Sequence, residues 1–181
     1  MPMIKYVLIV ASFLLLQNDV MEELSWSEDY RLTWSDFKGK PIVGNDAVAV
    51  TASGITFSYS IQRENKIIKG FKTIVKAFFY PEHSWCKLDK VDTHVLGHEQ
   101  LHFDITELHA RLFRQRISKI QPHSTLPQTL QTLHATIDAE LAAMQNKYDI
   151  ESEYSINYEG QKKWKDSIAK QLLVLSKFKS K

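Results

Sequence analysis

The chain has 181 residues, 44% of them hydrophobic and 24% charged, with a net charge of +2. That length supports one domain with a hydrophobic core, and the composition is that of a folded chain rather than a disordered one. The charge balance gives no case for nucleic-acid binding, and the single cysteine, Cys86, excludes an internal disulfide.

In chain order, the first segment reads as a leader. Lys5 precedes an uncharged, mostly apolar run over residues 6–16, which Gln17, Asn18 and Asp19 bring to an end. A run of about 7–15 residues after a basic start suits the core of a signal peptide and is too short for a membrane span of ~20. Residues 1–20 are therefore expected to be a signal peptide or N-terminal anchor, and residues 21–181 a single exported domain, periplasmic or secreted. It would meet the membrane only through that segment, if uncleaved. Residues 24–40 are aromatic and polar (Trp26, Tyr30, Trp34, Phe37) and close on the turn signal Lys38-Gly39-Lys40-Pro41. Ile55, Phe57, Tyr59 and Ile61 then alternate with Thr56, Ser58, Ser60 and Gln62, the period of a half-buried strand. A polar turn over residues 63–66 and a second strand over 67–80 complete an antiparallel hairpin. Residues 47–52 add a candidate third strand.

From residue 91 the period becomes helical. Leu101, Ile105, Leu108, Leu112, Phe113 and Ile117 predict one buried stripe on a helix over 91–120, with Asp89 or Asp92 as its cap. Pro122 and Pro127 bracket a break. A second helix is predicted over 126–148, with Leu130, Leu133, Ile137, Leu141 and Met144 as its stripe, and a third over about 160–178. The lysines near the C-terminus spread along that third helix and its tail, and read as a solvated face. Strands first and helices after predict an α+β fold with an N-terminal antiparallel sheet.

The first predicted helix carries His98-Glu99-Gln100-Leu101-His102. At 1.5 Å and about 100° per residue the two imidazoles sit one turn apart on one face, spaced to ligate one zinc ion. Glu99 leaves the same turn outside the ligand set, within reach of a metal-bound water, as the general base of an H-E-x-x-H metallopeptidase. A catalytic zinc takes three protein ligands and keeps one position open. On a continuous helix His94 is roughly 12 Å along the axis from His102, and His109 roughly 10 Å, so neither can be the third. The metzincin extension is excluded too, because Ile105 and Leu108 occupy its Gly and His positions. The third ligand is expected from the later helices or the segment joining them. Asp149, Glu151 and Glu153 cluster after the second predicted helix, and Asp138 and Glu140 lie within it. His83, His123 and His134 read as structural. Tyr148, Tyr154 or Tyr158 could supply an oxyanion donor.

Gly97-His98-Glu99-Gln100-Leu101-His102-Phe103-Asp104-Ile105 resembles the helix motif of a bacterial family of predicted secreted zinc-dependent proteases, filed as domain of unknown function 922. Leu32-Thr33-Trp34-Ser35-Asp36-Phe37-Lys38-Gly39, with Thr51-Ala52-Ser53-Gly54-Ile55, is similar to its N-terminal part. Tyr148-Asp149-x-Glu151-Ser152, followed by Gln161-x-x-Trp164, is similar to its C-terminal part. The resemblance implies an exported, zincin-like metallopeptidase. In the family the Tyr-Asp block continues Thr-x-His-Gly, and that histidine would be a natural ligand; here Tyr154 stands in its place. The resemblance therefore leaves Asp149 as the best-matching third ligand beside His98 and His102.

The expectation for function is a zinc metallopeptidase acting as a monomer on a peptide or protein substrate. An edge of the 55–80 hairpin would pair with that substrate. The alternative is a non-catalytic envelope protein with a structural or degenerate zinc site.

Overall fold

The computed structural model describes residues 22–180, so the leader expected over residues 1–20 lies outside the described residues. Chain order runs β1 (Leu24–Ser25), β2 (Ala49–Val50), β3 (Ser53–Glu64), β4 (Ile67–Phe79), β5 (Trp85–Cys86), α1 (Thr93–Ile117), α2 (Leu126–Glu151) and α3 (Tyr158–Val174). Antiparallel sheets precede the helices, and the architecture is α+β. Among the described residues no helix is long and apolar enough to cross a membrane.

The expected hairpin forms from β3 and β4. Its turn places Asn65 (φ 48°) and Lys66 (φ 66°) both in the left-handed region. Such a two-residue turn matches the right-handed twist of the strands it joins. The third strand of this sheet is not the 47–52 segment. β1 takes that place, pairing Leu24 with Phe79, and gives the order β1-β4-β3. The 47–52 segment supplies β2, which pairs with β5 in a separate two-stranded sheet. The reason lies at Ala52, whose carbonyl accepts from the Tyr80 amide (2.9 Å) and whose amide donates to Ser84 Oγ (2.9 Å). Those bonds turn the chain between the two sheets. Gly39 closes the same corner: a Cβ there would stand 2.8 Å from the Glu82 carbonyl oxygen, so only glycine permits the approach.

α1 begins at Asp92, whose carboxylate accepts from the His94 and Val95 amides at 2.9 Å. Sequence periodicity predicts one buried stripe on α1, but it is buried on several faces. Phe103, Ala110, Phe113 and Ile117 join Val75, Ala77 and Phe79 in one cluster. Leu101, Ile105 and Leu108 join Leu141, Tyr148 and Ile168 in another. A helix between a sheet and two helices has no wet side over much of its length, and its polar residues are buried with the rest. Glu107, His109 and Arg111 are all 2% exposed or less.

Such groups require partners. Glu107 accepts from Arg111 Nε (2.9 Å) and Arg114 (3.1 Å). Arg111 also donates to the Leu172 carbonyl in the last turn of α3, and Arg114 to the carbonyls of Val75 on β4 and Phe178 beyond α3. One buried acid thus organises two arginines that tie sheet and C-terminus to α1. On another face, Asp104 accepts from Trp26 Nε1 (2.8 Å) and Gln100 from the Leu32 amide (2.8 Å), docking the N-terminal segment.

Glu107→Gln keeps the shape and removes the buried charge that, with the more exposed Glu28, compensates Arg111. We expect a loss of about 3 kcal/mol in the free energy of urea unfolding, as for other broken buried pairs. A change below about 1 kcal/mol, the worth of an ordinary hydrogen bond, would show the network to be dispensable.

Candidate metal centre

His98 and His102 leave successive turns of α1, with their Nε2 atoms 3.1 Å apart. Facing them, α2 presents Gln145, Tyr148 and Asp149, residues spaced to share one helix face. Asp149 Oδ1 lies 3.2 Å from His98 Nε2 and 2.9 Å from His102 Nε2. Asp149 belongs to the last turn of α2 rather than to the segment after it. The helix runs on to Glu151 and stops where Glu153, Tyr154 and Ser155 all adopt left-handed φ (49°, 53° and 73°).

The three donor atoms form a set able to hold a metal ion. Tetrahedral ligation at ~2.0–2.1 Å separates ligand atoms by roughly 3.3 Å, close to the spacing here. The tautomer of His102 supports that fit. Gln145 Nε2 donates to the His102 carbonyl and to Thr106 Oγ1, both at 3.3 Å, which turns its amide oxygen toward His102 Nδ1. His102 Nδ1 therefore carries a proton, and a neutral His102 offers its Nε2 lone pair to the centre. His98 Nδ1 is buried with no hydrogen-bond partner among the described residues.

Tyr148 backs the His98 ring from the core and is not a donor into the site. Its ring stacks on His98 (centroids 4.6 Å, 25°), and its hydroxyl donates toward the His98 carbonyl at 3.4 Å. Burial, followed by the charge of Glu99, pushes its pKa up and keeps it protonated. Glu99 is 4% exposed, and its carboxylate accepts no hydrogen bond among the described residues. It lines a cavity of about 840 Å³ with His98, His102 and Asp149. The far wall is residues 45–51, and the rim includes Tyr154 and Ile156. The strand edge at this cavity is thus β2; the hairpin contributes Ser53 alone.

The other sequence candidates have different partners. His94 Nε2 meets the Ser155 carbonyl (2.7 Å) and its ring stacks on Tyr158, while His109 Nδ1 donates to the Ile105 carbonyl. Glu140 is gripped by Arg116 (3.0 and 2.8 Å), Glu151 accepts from Trp164 Nε1 (2.8 Å), and Asp138 sits 3.5 Å from His134. Glu153 is exposed and does not line the cavity. Gln145 was missed by sequence reasoning. Its signal was its place one turn before Asp149, on the same face.

Without a cation, a proton can occupy the centre. Burial disfavours charged His102, but its hydrogen bond to Asp149 and the charge of Glu99 outweigh this and raise its pKa. Burial likewise opposes the Asp149 anion, yet hydrogen bonds from His102 and His98 hold it well below the usual carboxylate range. The His102 cation contributes stability that is fully present below the unfolded value of ~6.5 and is lost as pH rises through its raised folded value. The Asp149 anion contributes stability present above ~3.9 and lost as pH falls toward its depressed folded value. For the chelator-treated chain we therefore expect this pair to contribute most between about pH 4 and 6.5. Urea unfolding across that range and up to pH 8 should show a loss on the alkaline side that Asp149→Asn removes. An alkaline limb unchanged by that substitution would place its origin elsewhere.

No curated protein and no solved structure matches the chain. One family model does, over residues 35–155, more than half of the chain. The matched stretch runs from the docked N-terminal segment through β2, the hairpin and α1 to the left-handed corner after α2. It contains His98, Glu99, His102, Gln145 and Asp149, and the chain belongs to the family described as "Bacterial protein of unknown function (DUF922)".

Proposed function

We propose that this chain is a zinc-dependent peptidase of zincin-like design that works outside the cytoplasm. The observation that carries the reading is the convergence of His98 Nε2, His102 Nε2 and Asp149 Oδ1 beside an open cavity, with Glu99 unpaired at the same wall. Two imidazoles and a carboxylate are a donor set suited to zinc, and three protein ligands with an adjoining cavity suit a catalytic site; a structural zinc is closed by four. Bound there, zinc would supply Lewis acidity, polarising a substrate carbonyl and acidifying water.

The chain's own residues then have defined tasks. Glu99 takes the proton of the attacking water and passes it to the leaving amine. Gln145 holds His102 in the tautomer that exposes Nε2. Tyr148 fixes the plane of His98 by stacking.

β2 suits a peptide substrate. The Lys87 amide donates to the Val48 carbonyl (2.8 Å), so the next pair, Ala49 and Cys86, is a non-bonded one. The amide and carbonyl of Ala49 consequently point away from β5, on the free edge of β2. An extended peptide adding to that edge would lie along the cavity. All three ligand atoms come from one chain, so the site needs no second copy. The leader-like run over residues 6–16 supports export.

Purified chain should hold close to one zinc, lost in His98→Ala and Asp149→Ala. Glu99→Gln should keep the metal and lose peptide hydrolysis by at least ~100-fold, the usual worth of a general base. Full activity in that variant, or a zinc-free chain under metal-replete conditions, would end the proposal. Gln145→Ala should fold normally and bind zinc about 10–100-fold more weakly in competition with a chelator.

A further inference from the structure

The mouth of the cavity has a chemical character of its own. Its charged lining residues other than histidine are Asp46, Glu99 and Asp149, all acidic, and neither lysine nor arginine lines it. Asp46 lines the rim and forms no ion pair among the described residues. The rest of the wall mixes uncharged polar residues with a larger apolar share: residues 47–50 read Ala-Val-Ala-Val, and Val95, Tyr154 and Ile156 join them. Tyr154 is 68% exposed and Ile156 75%. Single exposed apolar residues need no explanation. These two stand almost side by side at the entrance of a cavity that holds the candidate metal ligands.

They are also held firmly. The Tyr154 amide donates to the carbonyl of Asp149 itself (2.8 Å), and the Asn157 amide to the Ser152 carbonyl (2.9 Å). His94 Nε2 meets the Ser155 carbonyl from α1 (2.7 Å). A Cβ on Gly160 would stand 2.4 Å from the Glu151 carbonyl oxygen, so α3 starts pressed against the end of α2. Three successive non-glycine residues at left-handed φ persist only where surroundings over-determine them, a condition common at ligand clamps. The rim that presents Tyr154 and Ile156 is thus fixed to the same turn that presents Asp149. An apolar surface ordered before its ligand arrives binds with little further loss of entropy.

We infer that the cavity takes an extended polypeptide carrying a bulky apolar side chain next to the bond to be cleaved, seated against Tyr154, Ile156 and Val95. Acidic side chains are rejected at that position, since no cation lines the wall to receive them. The inference rests on the peptidase reading and adds its substrate class.

The test uses the zinc-loaded full chain and a peptide mixture with every residue type represented around the cleaved bond. Cleaved sites should be enriched in Leu, Phe and similar residues and depleted in Asp and Glu. In single peptides, Leu should exceed Ser at the selected position by about tenfold or more in kcat/KM. Tyr154→Ser and Ile156→Ser, both on the surface, should shrink that ratio toward unity through KM while zinc content stays unchanged. Cleavage without apolar enrichment, or a ratio untouched in both variants, overturns this inference and leaves the peptidase reading standing. A chain with full zinc that cleaves no peptide of the mixture overturns both.

Discussion

The structure depends on the burial of α1. A helix surrounded by a sheet and two other helices cannot leave polar side chains in water, yet this one carries a charged or hydrogen-bonding residue on nearly every turn. Each must be met by a partner, on α1 itself or from elsewhere in the chain, because an unmet buried polar group costs several kcal/mol. The N-terminal segment answers Gln100 and Asp104, the arginine pair answers Glu107, and the last turn of α2 answers His98 and His102. Docking of the flanking elements is thus dictated by α1, in addition to apolar packing.

The His98–His102–Asp149 centre differs from the other two in one respect. Glu107 and Asp104 meet donors that satisfy them. The centre instead brings two imidazole nitrogens and a carboxylate within about van der Waals reach, an arrangement that calls for a positive charge in its middle. A proton serves in the metal-free chain, as the raised His102 and lowered Asp149 pKa values reflect. A divalent cation would compete with that proton for the same atoms. Gln145 and Tyr148 then act as the supports that keep both rings aimed at the centre.

Much of this was legible in the sequence, though unevenly. The β3–β4 hairpin could be read because residues 55–62 alternate strictly and the polar turn after them is short. The pairing of the 47–52 segment could not be. Two residues of strand carry no periodicity, and the choice of β5 over the hairpin was made by the hydrogen bonds at Ala52. α1 was read as a helix with a single stripe because its polar residues mask the burial of its other faces. The sequence pattern ends the second helix at residue 148, a turn before the observed Glu151; left-handed backbone at Glu153 to Ser155 is what ends it.

The sequence by itself determined the pair of histidines and the glutamate between them, because a spacing of one helical turn is a local property that holds in any helix. It also determined that neither His94 nor His109 could join them, by the rise of the same helix. Local spacing left open which carboxylate stands beside them, among five on equal local terms, and only the family resemblance singled out Asp149. Tertiary structure decided among them. Four of the five are held by other partners (Glu140 by Arg116 of α1 among them) or stand away from the cavity, and only Asp149 meets the two histidines, with Gln145 and Tyr148 on the same side of α2. The phase of one helix against another depends on packing over the whole contact. No local spacing encodes it.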